Sequence, residues 1–347
     1  LGGFIYFCPD QSAKLIPTFY LINTSSNRMP RFKIHHVTKY TYEGPVRDSA
    51  NQIVLFPLKD EFQEVLKQDL AITGDPVVET YKDYYGNEVG SFTHADPHHS
   101  LVIDSRLEVI TKPRPVLKDE APKEEQWEQL RQLRWQVPYI DFLNQEKFAS
   151  LAEVLDSARP EATAALTPLE AAKRMKTYVY DNFQYIKGVT TVETTADEVW
   201  KLKAGVCQDF AHILLVLLRQ IQLPSRYVSG YICPNQNGMR GEGATHAWIE
   251  AYIPNNGWVG LDPTNNCVVE DLHVRLAVGR SFSDCSPVKG TYKGTAGQTL
   301  EVGVSVSYEN GNTSEDSATV LTPQASTNGA DHNSYRRYME MMQQQQQ

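Results

Sequence analysis

Gly205-Val206-Cys207-Gln208-Asp209-Phe210 opens a stretch in which Phe210, Ile213, Leu214, Leu217, Leu218 and Ile221 recur at helical spacing until Pro224 ends it. Such a period marks one apolar stripe of a helix packed into a core. Cys207 stands at the head of that helix. Unpaired backbone N–H groups and the positive end of the helix dipole meet there, and both favour a thiolate over a thiol. Cys207 also shares the buried side with Phe210 and Leu214, so a small core cysteine is the competing reading.

Two later stretches answer this one. In residues 244–253, His246, Trp248, Glu250 and Tyr252 alternate with apolar Ala247, Ile249, Ala251 and Ile253, the pattern of a strand with one face on the core. An imidazole on the polar face could take a thiol proton and return it to a leaving amine. Asp262, in Gly260-Leu261-Asp262-Pro263-Thr264, could hold the ring's tautomer and stabilise its charged form. Taken singly, His246 reads as a half-exposed strand residue and Asp262 as a turn residue; only the set of three points to a thiol nucleophile with base and orienting acid. One obstacle is geometric. Asn255-Asn256-Gly257 reads as a three-residue hairpin loop, which would set Asp262 opposite Glu250. His246 would then lie four residues, about 13 Å, along the strand. The triad therefore requires a wider loop or a bulge that shifts the register.

Ahead of this region, residues 31–113 are strand-like. Phe32, Ile34, His36 and Thr38 alternate with Lys33, His35, Val37 and Lys39. Short runs follow at Val54-Leu55-Phe56, Val77-Val78, Val102-Ile103 and Val109-Ile110, separated by turn signals such as Glu43-Gly44-Pro45 and Gly74-Asp75-Pro76. This spacing suggests a β-sandwich over residues 30–115, closed by the linker Lys112-Pro113-Arg114-Pro115. Helical pattern begins near Lys123, and Thr167-Pro168-Leu169-Glu170 and Thr195-Ala196-Asp197-Glu198 read as capping boxes. Further strands are expected at residues 226–232, 258–261 and 300–308, giving a second domain over residues 116–308. The polar, glutamine-ended segment 309–347 is expected to be disordered. Met29 directly precedes the first alternating strand, so residues 1–29 are expected to be an upstream segment.

The whole chain narrows the classes. Its 347 residues exceed one compact core, so two domains are expected. No run of about 18 apolar residues suggests a membrane-spanning helix. A net charge of −9 without a basic block argues against a nucleic-acid partner. The five cysteines, Cys8, Cys207, Cys233, Cys267 and Cys285, form no C-x-x-C pair, so neither a zinc ribbon nor a redox dithiol is expected. Reduced thiols fit a cytoplasmic location. His94, His98 and His99 surround Asp96-Pro97 in a loop-like stretch, and neither a metal nor a cofactor is expected.

Gly205-Val206-Cys207-Gln208-Asp209-Phe210-Ala211-His212, Leu223-Pro224-Ser225-Arg226-Tyr227, His246-Ala247-Trp248 and Gly257-Trp258-Val259-Gly260-Leu261-Asp262-Pro263-Thr264-Asn265 together resemble, in order, the bacterial transglutaminase-like family within the transglutaminase-like cysteine protease superfamily. Val278-Gly279-Arg280-Ser281-Phe282-Ser283-Asp284 resembles a further block, and Phe32-Lys33-Ile34-His35-His36-Val37 its N-terminal β domain. The resemblance covers residues 30–308. It implies an α+β protein: an N-terminal β-sandwich, then a papain-like core in which a nucleophile helix packs on an antiparallel sheet. It also implies Cys207 as nucleophile, His246 as base and acid, and Asp262 as the orienting residue, acting on an amide through an acyl thioester.

The backbone N–H of Cys207 is expected to bind the oxyanion; Gln184 and Trp200 are candidates for its second donor. Asp209, Arg226 and Arg280 are expected in structural roles, and Cys233, Cys267 and Cys285 as bystanders. The partner is then a peptide or protein amide, with no nucleic acid and no membrane. Hydrolysis by a peptidase or amidase is expected ahead of transamidation, and a silent binding module is the reading from another class.

Overall fold

The computed structural model describes residues 29–145, 148–158, 165–233, 239–241, 245–309 and 322–324. The upstream segment before Met29 and nearly all of the tail lie outside the described residues. The architecture is α+β: an eight-stranded N-terminal sheet, and a five-stranded antiparallel sheet carrying the helices.

One strand organises the first sheet. β1 (Arg31–Ile53) alternates buried Phe32, Ile34, His36 and Thr38 with more exposed neighbours, as its sequence pattern requires. Its first half pairs with β5 (His98–Thr111) on one side and β14 (Gln298–Tyr308) on the other. Its second half pairs with β4 (Glu88–His94) and β13 (Val288–Lys293). β2 (Gln63–Ile72) adds to β5, β3 (Glu79–Lys82) to β4, and β15 (Thr322–Gln324) to β14.

Glu43-Gly44-Pro45, expected as a turn, lies inside β1, where the register against β5 shifts between Thr41 and Val46. A proline without an N–H and a flexible glycine fit such an irregularity, which bends the strand instead of reversing it. The sheet curls because β1 serves both halves. Residues 288–308, grouped by sequence with the second domain, hydrogen-bond to β1; the chain returns to complete the first sheet after building the second.

The second sheet has the order β11-β10-β9-β8-β12, from β8 (Ser225–Ile232), β9 (Thr245–Ile253), β10 (Gly257–Asp262), β11 (Cys267–Val268) and β12 (His273–Gly279). The helices are α1 (Lys123–Leu133), α2 (Leu151–Ala158), α3 (Pro168–Asn182), α4 (Ala196–Leu202), α5 (Cys207–Gln220) and the short α6 (Phe282–Cys285). Reciprocal capping boxes start α3 at Thr167 and Glu170, and α4 at Thr195 and Glu198. α5 buries Phe210, Ile213, Leu214, Leu217 and Leu218 against Ala247, Ile249, Ala251 and Ile253 of β9.

The other face of β9 is covered as well. Trp248 is enclosed with Val228, Val269 and Val278, and Leu58 and Tyr85 from the first sheet's connections pack against them. His246 and Glu250 are buried too, which replaces the half-exposed polar face expected from alternation alone. Alternation reports which residues share a face, and it is silent on what a distant segment lays over that face.

That covering carries a buried ion network. Glu250, fully enclosed, accepts from Arg226 at 2.6 and 2.8 Å and from Arg275 at 3.4 Å. Arg275 also pairs with Asp60. The Gln63 side chain donates to the Arg275 carbonyl at 2.9 Å and accepts from its N–H at 2.8 Å, so β12 is fastened to the first sheet. A second seam is apolar: Tyr231, Val274 and Leu276 of the second sheet lie in one cluster with Phe32, Ile34, Leu101 and Leu107 of the first. No helix of the described residues is long and apolar enough to cross a membrane.

Candidate active site

Cys207 is the first residue of α5, half-buried, behind the extended N-cap Val206. As the first helical residue, its N–H has no partner inside the helix. Asp209 shapes this end: its buried carboxylate accepts the Val206 N–H at 2.8 Å and the Thr190 hydroxyl at 2.7 Å. A Cβ on Gly205 would strike the Asp209 carboxylate at 2.4 Å, so a side chain at 205 would unseat this cap.

The register between β9 and β10 resolves the obstacle seen in the sequence. Gly257 pairs with Ile253 and Leu261 with Ile249, so the loop is Pro254-Asn255-Asn256 and Gly257, at φ 74°, is already in the strand. Continued by one pair, the ladder sets Asp262 opposite Trp248 instead of Glu250. The remaining offset to His246 is two residues, on the same face, a diagonal that long side chains span. His246 Nε2 and Asp262 Oδ2 are 2.8 Å apart.

Asp262 is surrounded by donors. Its Oδ1 accepts the Thr264 N–H at 2.8 Å and the Asn265 N–H at 3.2 Å. Its Oδ2 accepts the Asn265 side-chain amide at 2.8 Å and faces His273 Nε2 at 3.3 Å. Burial opposes the carboxylate, but the two histidines hold it well below the usual range.

Burial likewise opposes a charged His246. The Asp262 carboxylate and the Cys207 thiol outweigh it, and the ring is pushed up to about 10. With Nε2 given to Asp262, Nδ1 is the nitrogen left for the thiol, and it has no other hydrogen-bond partner among the described residues. His273 differs: burial dominates and moves its pKa down, so it stays neutral.

Two imidazoles and a carboxylate gathered within 4.8 Å also make a zinc donor set. Here Nε2 of His246 and Oδ2 of Asp262 already hold each other at hydrogen-bond distance. The same two atoms make the contact that the triad uses.

The structure thus brings Cys207, His246 and Asp262 together. It does not bring Trp200 to them: the indole is buried and its N–H donates to Glu153 at 3.1 Å. The Gln184 side chain is exposed. Arg226 lies in the Glu250 network. Arg280 donates its N–H to Asp284 at 2.8 Å, and its carbonyl accepts from Arg219 at 2.6 Å. Cys285 is buried below β8, with its thiol toward the Tyr227 carbonyl at 3.9 Å.

Sequence reasoning missed His273 and Asn265. The alternation of Leu272, Val274, Leu276 and Val278 was a sufficient signal for β12, and it would have set His273 on the opposite face. Gly230, directly across from His246, leaves the space that the Trp248 ring enters, since a Cβ there would meet the ring at 2.6 Å. The edge of that ring then supports His273, with centroids 5.1 Å apart.

The pattern of the transglutaminase-like superfamily matches residues 157–263, and that of the bacterial transglutaminase-like N-terminal region matches residues 32–110. An uncharacterized protein of Mycobacterium tuberculosis is 31% identical over 291 residues, 80% of this chain and 92% of that protein. A protein-glutamine gamma-glutamyltransferase of Pseudomonas aeruginosa is 25% identical over 150 residues, 41% of this chain and 22% of that protein. The crystal structure of a "Putative Cysteine Protease from Cytophaga hutchinsonii" superposes with a TM-score of 0.64 at 22% identity, over 86% of this chain and 95% of that one, a likeness of fold. Fold, register and matched residues agree: the chain belongs to the transglutaminase-like superfamily and carries that family's bacterial N-terminal region ahead of the core.

Proposed function

We propose that the protein is a cysteine-dependent amide-bond enzyme that forms an acyl thioester on Cys207, with hydrolysis as the main outcome. The observation that carries this reading is the buried 2.8 Å contact between His246 Nε2 and Asp262 Oδ2, which leaves Nδ1 of the ring to the Cys207 thiol. In this reading the Cys207 sulfur attacks the carbonyl carbon of a peptide or protein amide. His246 gives its proton to the leaving amine, and Asp262 holds the ring in place throughout. Water, activated by the same ring, releases the acid and restores the thiol. The free thiols of Cys207, Cys233, Cys267 and Cys285 support a reducing compartment such as the cytoplasm.

Transamidation is the second reading, favoured by the partial likeness to the gamma-glutamyltransferase. It needs an amine to outcompete water at the thioester. Incubating a glutamine-containing acyl-donor peptide with the protein, with and without a millimolar primary amine, separates the two. The expected result is release of the acid, with Cys207→Ala inactive and less than about a tenth of the product carrying amine. An amine adduct that depends on Cys207 and exceeds the acid would reverse the order. No product of either kind from the wild-type protein, across a panel of amides and esters, would leave a binding module.

A further inference from the structure

Of the two candidates from the sequence for a second oxyanion donor, Trp200 gives its N–H to Glu153 and Gln184 is exposed; Tyr185 is a further side chain near the nucleophile. β6 (Gln184–Tyr185) pairs in parallel with β7 (Ala204–Gly205), and Tyr185 faces Gly205 in that ladder. The Gln184 N–H donates to the Lys203 carbonyl at 2.8 Å, and the Ile186 N–H to the Gly205 carbonyl at 2.9 Å. These bonds clamp residue 185 to the chain two positions ahead of Cys207. Successive strand residues point to opposite sides, which sends Gln184 to solvent and Tyr185 inward. The Tyr185 ring stands edge-on to Phe210 in the first turn of α5, with centroids 6.2 Å apart.

The hydroxyl is placed by Gly241. A Cβ on that glycine would lie 2.9 Å from His246 Nδ1 and 3.8 Å from the Tyr185 hydroxyl oxygen. The Tyr185 hydroxyl and His246 Nδ1 therefore both border the side-chain-free position of Gly241. Among the described residues, no hydrogen bond of that hydroxyl competes for the role. Burial, with Cys207 and Asp262 nearby, pushes its pKa up to about 12, so at neutral pH it is a donor and carries no charge.

We propose that the Tyr185 hydroxyl and the Cys207 backbone N–H form the oxyanion hole. The inference rests on the acyl-thioester reading above. As the sulfur–carbon bond forms, the carbonyl π pair moves onto oxygen, and the two donors hold the resulting O⁻. When that pair returns, the carbon–nitrogen bond breaks, the amine takes the His246 proton, and the thioester remains on Cys207. Tyr185 keeps its proton throughout; its contribution is a hydrogen bond that strengthens as charge develops.

The test compares two reactions of the same thiol. Acylation by p-nitrophenyl acetate passes through an oxyanion; alkylation by iodoacetamide displaces iodide at a saturated carbon and forms none. Tyr185→Phe is expected to lower kcat for acylation by about 10²-fold, with KM within about twofold, the scale for losing one such donor. Alkylation of Cys207 should stay within about twofold of wild type, which also reports that the variant is folded. Unchanged acylation would overturn the proposal. So would an equal fall in both reactions, because Tyr185 would then act on the thiol. A wild-type protein that acylates no faster than Cys207→Ala would remove the thioester reading itself, and this inference with it.

Discussion

Asp262→Asn should lower Cys207-dependent acylation by about 10⁴-fold, the scale seen when the orienting acid of a nucleophile–histidine–acid triad loses its charge. The surroundings of Asp262 explain why an isosteric amide fails. Thr264 N–H, Asn265 N–H, the Asn265 side chain, His246 and His273 all direct donors at the two carboxylate oxygens. An amide presents its own N–H₂ to half of them, and no charge remains to hold the imidazolium. Steady-state acylation of the folded variant, verified by circular dichroism, is the measurement; a loss under tenfold would show that Asp262 only packs.

The same pair sets a pH window for stability. Asp262 has a depressed pKa, so its contribution is present above the unfolded value near 3.9 and is lost as pH falls below that. His246 has a raised pKa, so its contribution is complete below the unfolded value near 6.5 and is lost as pH rises through about 10. His273, whose folded pKa is lowered, works in the opposite sense and destabilises as pH falls below about 6.5.

Glu250→Ala should cost about 3–5 kcal/mol of unfolding free energy, the scale for removing one partner of a buried ionic cluster. Glu250 is fully buried, Arg275 is buried and Arg226 half-buried beside it, and removal leaves two guanidinium groups without their shared anion. Arg226 also stacks 4.2 Å from the Trp258 ring centre, and Arg275 keeps Asp60, so neither can swing freely to water. Burial opposes the Glu250 carboxylate, yet the arginines hold its pKa low, and its contribution fades as pH drops below the ordinary glutamate value. Urea denaturation at pH 7 measures the loss; a change under about 1 kcal/mol would mean that water reaches the cluster and screens it.

Much of the site was legible because its signals are local. The apolar period after Cys207, both capping boxes and the alternation of β9 each follow from neighbours in sequence, and each appears where expected. The pairing of Asp262 with His246 was less legible, because it depends on whether Gly257 is loop or strand. One glycine at φ 74° moves the ladder by two residues and decides whether the side chains touch.

What lay beyond the sequence is long-range. Nothing near Glu250 announces that Arg275, 25 positions later, will pair with it, or that Arg275 will in turn take Asp60 of the first sheet's connections. Nothing near Val288 announces that β13 and β14 return to β1. Trp200 looked like a donor in the right segment, but an indole is also a large apolar group, and here its ring is buried beside Phe183 while Glu153 takes the N–H.

The central claim is that Cys207 is an activated thiol. It is tested most directly by limiting iodoacetamide across pH 5 to 8, with the modified cysteine mapped by peptide mass. Cys207 should be alkylated at least about tenfold faster than free cysteine near pH 6, ahead of Cys233, Cys267 and Cys285, and His246→Ala should abolish that excess. Alkylation of Cys207 no faster than free cysteine near pH 6, or unchanged by His246→Ala, would contradict it.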